Sequence, residues 1–229
     1  ITGSVYSGMG GSIWSGLFNM QLGKQKEVFL SYYYDLLEYN IDGSLKANYK
    51  KSLLINNKYL LQTWYQINDS LFLGRIPNTT GKIEYKALII NKQGYVSYLY
   101  KNYDLFNREK EIGSFAEGFS HIYRYKGYIF YKDLYNDTLF SLNDKYVLVP
   151  EYAFHLGKLK EPLSEREKAG IDDMWEYIYL WNVFQTEDYL LIKCQFGYRF
   201  PARRINPAPS RLPGGAPIWI NTNYILVLS

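Results

Sequence analysis

A strand-and-turn unit recurs along this chain at a fixed interval, and that interval limits the folds open to it. Leu36-Leu37-Glu38-Tyr39-Asn40-Ile41-Asp42-Gly43 reads as a strand running into a tight turn, and Ala87-Leu88-Ile89-Ile90-Asn91-Lys92-Gln93-Gly94 repeats it 51 positions on. Thr138-Leu139-Phe140-Ser141-Leu142-Asn143-Asp144-Lys145 is a third copy, with Lys145 a further 51 positions after Gly94. An apolar strand follows each copy: Leu45 to Tyr49, Tyr95 to Tyr100 and Tyr146 to Val149. Asn, Asp and Gly in a short link between two such runs mark a hairpin.

A second hairpin stands ahead of each copy. Leu17 to Leu22 turns into Val28 to Tyr32, Tyr59 to Ile67 into Leu71 to Leu73, and Phe119 to Tyr125 into Tyr128 to Tyr131. Tyr177 to Phe184 turning into Tyr189 to Ile192 opens a fourth unit. Two hairpins make a four-strand meander of about 50 residues, the length and content of a propeller blade. The runs Phe29-Leu30, Ile89-Ile90 and Leu190-Leu191-Ile192 are short and unbroken, which suits strands covered on both faces. A β-sandwich, the alternative, would show cleaner apolar-polar alternation. With 25 Tyr, 12 Phe and 5 Trp among 229 residues, the composition also favours sheet.

The expected fold is therefore all-β, a β-propeller of four-stranded antiparallel blades at about 16–50, 59–101, 119–154 and 175–229. The fourth unit runs out at Ile225-Leu226-Val227-Leu228-Ser229 before a fourth strand, and Gly3, Gly8, Gly10 and Gly11 read as the tail of something earlier. Residues 1–229 are expected to be one propeller domain or part of one. Two inserts stand out. In 155–174, Ser164-Glu165-Arg166-Glu167 reads as a capping box opening a short helix that Gly170 stops, a helical insert of about 161–174. In 197–216, five Pro and Gly positions after Pro201 (Pro207, Pro209, Pro213, Gly214 and Gly215) deny regular structure.

Three stretches resemble a known family. Tyr135-Asn136-Asp137-Thr138-Leu139-Phe140-Ser141-Leu142 with Leu148 to Lys158, Phe119 to Phe130, and Tyr34-Asp35-Leu36 to Gly43 are similar to recurrent passages of the six-bladed β-propeller proteins of gut anaerobes. The glycines at 8, 10 and 11 resemble a glycine-rich passage there, although the Pro-Gly-Glu-Tyr expected beside it is absent. The resemblance implies six blades, of which this chain would be a fragment. It also implies a periplasmic or outer-surface location, with a lipid anchor at an N-terminus ahead of Ile1. Its chemistry is left open, since most of these proteins have no known function.

Function is expected on one end of the blades. In a meander, links 1–2 and 3–4 share one end and links 2–3 share the other with the crossings between blades. The first class is short throughout (23–26, 40–43, 68–70, 91–94, 126–127, 143–145, 186–188), and the second holds the long connections 51–58, 77–83, 102–118, 155–174 and 197–216. Binding residues concentrate on loops held by a rigid scaffold. The candidate ligand-binding residues on that end are Glu117, Trp175, Arg199, Arg203 and Arg204. Guanidinium groups suit carboxylates or phosphates. Trp175, Tyr198 and Trp219 suit sugar or peptide platforms.

No catalytic or metal-binding pattern emerges, and no cofactor is expected. His121 and His155, the two histidines, both read as packed residues at strand positions. Glu117 and Asp133 could form a carboxylate pair for sugar cleavage only if close in space. Asp172-Asp173 diverge as neighbours, and Asn78-Thr79-Thr80 matches a glycosylation pattern that is frequent by chance. A formal charge of +4, evenly spread, argues against nucleic acid. No apolar run approaches the length of a membrane span. Cys194, the single cysteine, reads as a buried, inert thiol. The expected function is a non-enzymatic extracytoplasmic binding module for a glycan or peptide on the long-loop end, its partner a small molecule, glycan or protein. A carbohydrate-active hydrolase or lyase is the second reading, and a protein-interaction scaffold the third.

Overall fold

A computed structural model describes residues 17–22, 27–32, 35–50, 61, 63–78, 80–109, 121–133, 135–168, 177–196 and 222–228. Fifteen strands are described, in the order β1 (Leu17–Leu22), β2 (Val28–Tyr32), β3 (Asp35–Tyr39), β4 (Leu45–Lys50), β5 (Thr63–Gln66), β6 (Leu71–Arg75), β7 (Tyr85–Asn91), β8 (Val96–Lys101), β9 (His121–Tyr125), β10 (Tyr128–Lys132), β11 (Thr138–Leu142), β12 (Leu148–Ala153), β13 (Ile178–Gln185), β14 (Leu190–Phe196) and β15 (Thr222–Leu228). A short helix, α1 (Leu163–Lys168), precedes β13. The strands form three four-stranded sheets, β1-β2-β3-β4, β5-β6-β7-β8 and β9-β10-β11-β12, and a three-stranded sheet, β13-β14-β15. Every sheet is a meander of sequence neighbours, so the fold is all-β and propeller-like, with about four blades.

The chain divides into two compact units, Ile1–Gly74 with Ile90–Tyr95 and Arg75–Ile89 with Val96–Ser229. In the first, Phe72 of β6 packs its ring edge-on to Phe29 of β2 at 5.4 Å and to Trp64 of β5 at 6.1 Å. The second is built around Phe130 and Leu139 of one sheet and Leu180, Val183, Leu190, Ile192 and Cys194 of the next. First strands meet in both units: β1 lies beside β5 in one and β9 beside β13 in the other. Covering a sheet on both faces explains the unbroken apolar runs. Ala87, Leu88, Ile89 and Ile90 are all fully buried. The fourth strands β8 and β12 are exposed along nearly their whole length. Cys194 is buried and unpaired, as its run implied.

The repeating turn has one construction in all three copies. The N–H of Asn40, Asn91 and Asn143 donates to the carbonyl four residues on, and the carbonyl of each accepts from the N–H three residues on. This is a three-residue hairpin loop closed by a residue in the left-handed region. Gly43 (φ 85°) and Gly94 (φ 91°) hold that position in the first two copies. In the third it falls to Tyr146 (φ 58°), not to Lys145. The third interval is thus one residue longer than the sequence comparison set it. A side chain there costs about 1–2 kcal/mol. Tyr146 is held by the Tyr98 ring at 5.3 Å and by the Tyr100 hydroxyl, which donates to its carbonyl at 2.8 Å.

One connection is pinned by a close approach. The N–H of Phe106 donates to the Gly81 carbonyl at 3.1 Å and that of Arg108 to the Thr80 carbonyl at 3.0 Å. A Cβ on Gly81 would lie 2.2 Å from the Phe106 carbonyl oxygen. Gly43 has open space around it, so Gly43→Ala bears only backbone strain, about 1–2 kcal/mol by urea unfolding. Gly81→Ala, which shares the positive φ (80°) and must also displace 102–108, is expected to cost clearly more. Equal losses at the two positions would contradict this account.

Candidate functional site

In the second unit, 77–83, 102–108 and 133–136 come together at the end of the strands that bears the long connections. Extended backbone governs the middle one. Asn102, Phe106 and Arg108 are buried, whereas Tyr103, Leu105 and Asn107 are exposed, the two-residue alternation of a strand. Asn102 is locked by its neighbours: its Nδ2 donates to the Ile83 carbonyl at 3.3 Å and its Oδ1 accepts from the Asp104 N–H at 3.0 Å. Asn78 Oδ1 accepts from the Ile83 N–H at 3.0 Å. Asp104 Oδ2 accepts from Asn136 Nδ2 at 2.7 Å, and Asp133 Oδ2 from the Tyr131 hydroxyl at 3.2 Å. The result is a small polar recess over Ile76, lined by Arg75, Asn78, Asn102, Asp104, Asp133 and Tyr135. Its room is of the order of a single water or hydroxyl group.

Two buried lysines act on its carboxylates. Lys132 is 1% exposed, and its ammonium donates to the carbonyls of Asp133 and Asn136, which shapes the loop carrying Asp133 and Tyr135. Burial pulls its pKa down to about 8, against the attraction of Asp133, Asp137 and Asp104. Lys86 stands 4.3 Å from the Phe140 ring centroid, its pKa also lowered by burial and raised in part by Asp133 and Asp104.

The helical insert docks beside the recess. The Arg108 guanidinium donates to the Arg166 carbonyl at 2.7 and 3.0 Å, and the Asn107 N–H to Glu167 Oε1 at 3.1 Å. Arg166, itself buried in α1, pairs with the buried Glu161 at 3.3 Å and lies 4.3 Å from the Tyr135 ring centroid. Burial raises the Glu161 pKa, with Arg166 opposing it. The helix begins at Leu163, and the Pro162 carbonyl accepts from the N–H groups of Glu165 and Arg166. Ser164 is therefore inside the helix and caps nothing, because the start was set by Pro162. Gly170 and Asp172-Asp173 lie outside the described residues.

The sequence-based candidates fare unevenly. Glu117, Trp175, Arg199, Arg203 and Arg204, with Tyr198 and Trp219, lie outside the described residues. So does one half of the Glu117–Asp133 pair, while Asp133 lines the recess. His121 is packed, stacked on Tyr123 at 5.2 Å and against Phe184 at 5.6 Å. His155 is exposed, which corrects its expected packing: it follows the end of β12, beyond the covered strands. Arg75, Asn102 and Asp104 were missed. The inverted alternation of Asn102-Tyr103-Asp104-Leu105, polar in and apolar out, was the available signal.

Two outcomes follow from these buried charges. Breaking the buried pair by Arg166→Met should cost about 3–5 kcal/mol, and adding Glu161→Leu should restore much of it, because the stranded carboxylate is then gone. A double variant no more stable than the single one would exclude the pair as the anchor of the insert. Burial holds His121 neutral, its pKa pushed down to about 4 from 6.5. Between those values the unfolded chain binds the extra proton. His121 should therefore withdraw stability as pH falls from 6.5, up to about 3 kcal/mol near pH 4, and His121→Phe should remove that part of the slope. An unchanged slope in the variant would contradict the burial.

Solved structures similar to this chain share its fold. One is a Bacteroides fragilis protein described as exported, with a TM-score of 0.55 at 15% identity over 78% of this chain and 51% of that one. A second is a member of the DUF4221 family from Bacteroides vulgatus, with a TM-score of 0.52 at 15% identity over 88% of this chain and 60% of that one. The chain thus spans between half and two-thirds of the length of these structures. No curated protein matches it. A family model, described as a domain of unknown function (DUF4933), matches residues 44–208. That is most of the sequence, and the chain belongs to the DUF4933 family.

Proposed function

We propose that this chain is a non-enzymatic, extracytoplasmic binding module, part of a six-bladed propeller, that takes a glycan or peptide on the end bearing its long connections. The observation that carries the reading is the convergence of 77–83, 102–108 and 133–136 on one polar recess with a buried arginine at its wall. In a ligand site a few convergent polar groups, held by a rigid scaffold, fix the orientation of what binds. The opposite end of the strands carries three-residue turns closed on themselves by the backbone hydrogen bonds of Asn40, Asn91 and Asn143. Export is supported by the description of one fold neighbour, and among the described residues no helix is long and apolar enough to cross a membrane. Glu117, Trp175, Arg199, Arg203 and Arg204 remain proposed contacts on the same end.

The test is a glycan array and a displayed-peptide pool probed with the whole chain. Variants at the recess (Asp133→Asn, Asp104→Asn) and in the long loop (Arg199→Ala with Arg203→Ala and Arg204→Ala) are compared with Asp42→Lys and Gln93→Lys on the short turns. Binding should weaken with the first sets and persist with the last, and the ligand should be recovered intact. Loss of binding through the short-turn variants alone would overturn the location, and a cleaved ligand would overturn the non-enzymatic reading.

A further inference from the structure

The insert that docks beside the recess is held without an apolar anchor. Of residues 157–168 only Glu161 and Arg166 are buried, and both are charged. Leu159 and Leu163, its two leucines, are exposed. The hydrogen bonds and ion pairs that tie it to neighbouring connections are few: Arg108 to the Arg166 carbonyl, the Asn107 N–H to Glu167, and Lys160 to Asp137 at 2.7 Å. The last two lie near the surface, where such contacts contribute little. A buried leucine would resist lifting, because its apolar surface would return to water. A buried ion pair carried whole does the reverse. Glu161 and Arg166 both belong to the insert, so lifting takes the two into water together, strands neither, and restores the hydration that docking removed. Segments with few buried apolar contacts are the ones that open locally.

What the insert covers is a pair of rings. The Arg166 guanidinium lies 4.3 Å from the Tyr135 ring centroid and 5.7 Å from that of Phe106, and the two rings meet edge to face at 5.4 Å. Both rings are buried. Tyr135 also lines the recess, whose room in the docked state is of the order of one water. Lifting the insert therefore bares an aromatic face on a residue that already walls Asn78, Asp104 and Asp133. Apolar surface with a few convergent polar groups is what holds a ligand larger than the recess alone admits. Gly157, where the chain enters the insert after β12, supplies a pivot: it sits in the left-handed region (φ 56°) with open space around it.

We propose that residues 157–168 form a lid, and that lifting it admits ligand to the Tyr135 and Phe106 rings beside the recess. The proposal rests on the binding role above and adds its gating. Its first test needs no ligand. Tyr179 of β13 is buried and lies in the field of Glu161, so Tyr179→Cys places a thiol against the lid, and Cys194 in the core is the reference in the same chain. With Ellman's reagent under native conditions, the introduced thiol should react at least about a hundredfold faster than Cys194. Glu167→Ala, which removes the bond to Asn107, should speed it about threefold and leave Cys194 unchanged. Hydrogen exchange on the unaltered chain decides the same point independently: amides of 163–168 should exchange ahead of those of 139–142, at a rate that low urea leaves unchanged. Equal thiol rates, with 163–168 exchanging only on global unfolding, would overturn the lid. The second test bridges the lid to 102–108 by a disulfide between Asn107→Cys and Glu167→Cys, with the glycan array and displayed-peptide pool as probes. The reduced form should capture what the unaltered chain captures, and the oxidised form at least about tenfold less. Equal capture by the two forms would overturn the gating and leave the binding role standing. A lid that lifts on a chain capturing nothing would sink the binding role and the admission of ligand with it.

Discussion

Coverage of each blade's middle strands on both faces is the constraint on which the rest of the structure depends. Four short strands bury too little apolar surface to hold a sheet alone. The interface between sheets supplies what is missing. In the second unit, Leu139 of one sheet and Val183, Leu180 and Ile192 of the next are each almost fully buried. Each such side chain contributes on the order of 1.5–3 kcal/mol, so a handful outweighs every surface ion pair described. In the first unit, Phe72 fills the same role between the rings of Phe29 and Trp64. The strand edges are left outermost, which is why β8 and β12 carry exposed tyrosines and valines.

Once the strands are fixed in this way, their ends become a scaffold for polar chemistry. The short turns are self-contained. The Oδ1 of Asn91 accepts from the N–H groups of Gln93 and Tyr95, and that of Asn143 from those of Lys145 and Val147. The long connections are not, and they need partners from elsewhere. Lys132 reaches two carbonyls of 133–136, Arg108 holds the helix through the Arg166 carbonyl, and Gly81 lets 102–108 lie against 80–84. Two of these anchors, Lys132 and Arg108, are buried donors aimed at backbone carbonyls, and the third is a close approach that only a glycine allows. The position of the recess therefore follows from satisfying buried polar groups rather than from apolar packing.

Much of the fold was legible in the chain. The Asn-based turns, the hairpin at Lys126-Gly127 and the unbroken run Ala87 to Ile90 each state a local requirement that the structure meets. Errors arose where local chemistry was ambiguous. Lys145 stood in register with the glycines, yet Tyr146 took the left-handed position, where neighbouring Tyr98 and Tyr100 offset the cost of carrying a side chain. Ser164 fitted a helix cap but lost to the preceding Pro162. His155 looked like His121 in sequence, and only coverage by a neighbouring sheet separates the buried one from the exposed one.

The candidate site was less legible, for a physical reason. A recess is made by residues far apart in sequence, here Arg75, Asn102 and Asp133, and no spacing rule joins them. The inverted pattern of 102–105 was visible, but its meaning was not until Phe106 and Arg108 found their partners. The sequence by itself determined the strands, the turns, the repeat and the burial of Cys194, because hydrogen bonding in a hairpin and coverage of an apolar run are decided by residues close along the chain. Which polar side chains converge, which cations act on them and which tyrosine is left facing outward were decided only by the tertiary structure, since burial and charge compensation depend on neighbours that the chain brings together solely by folding.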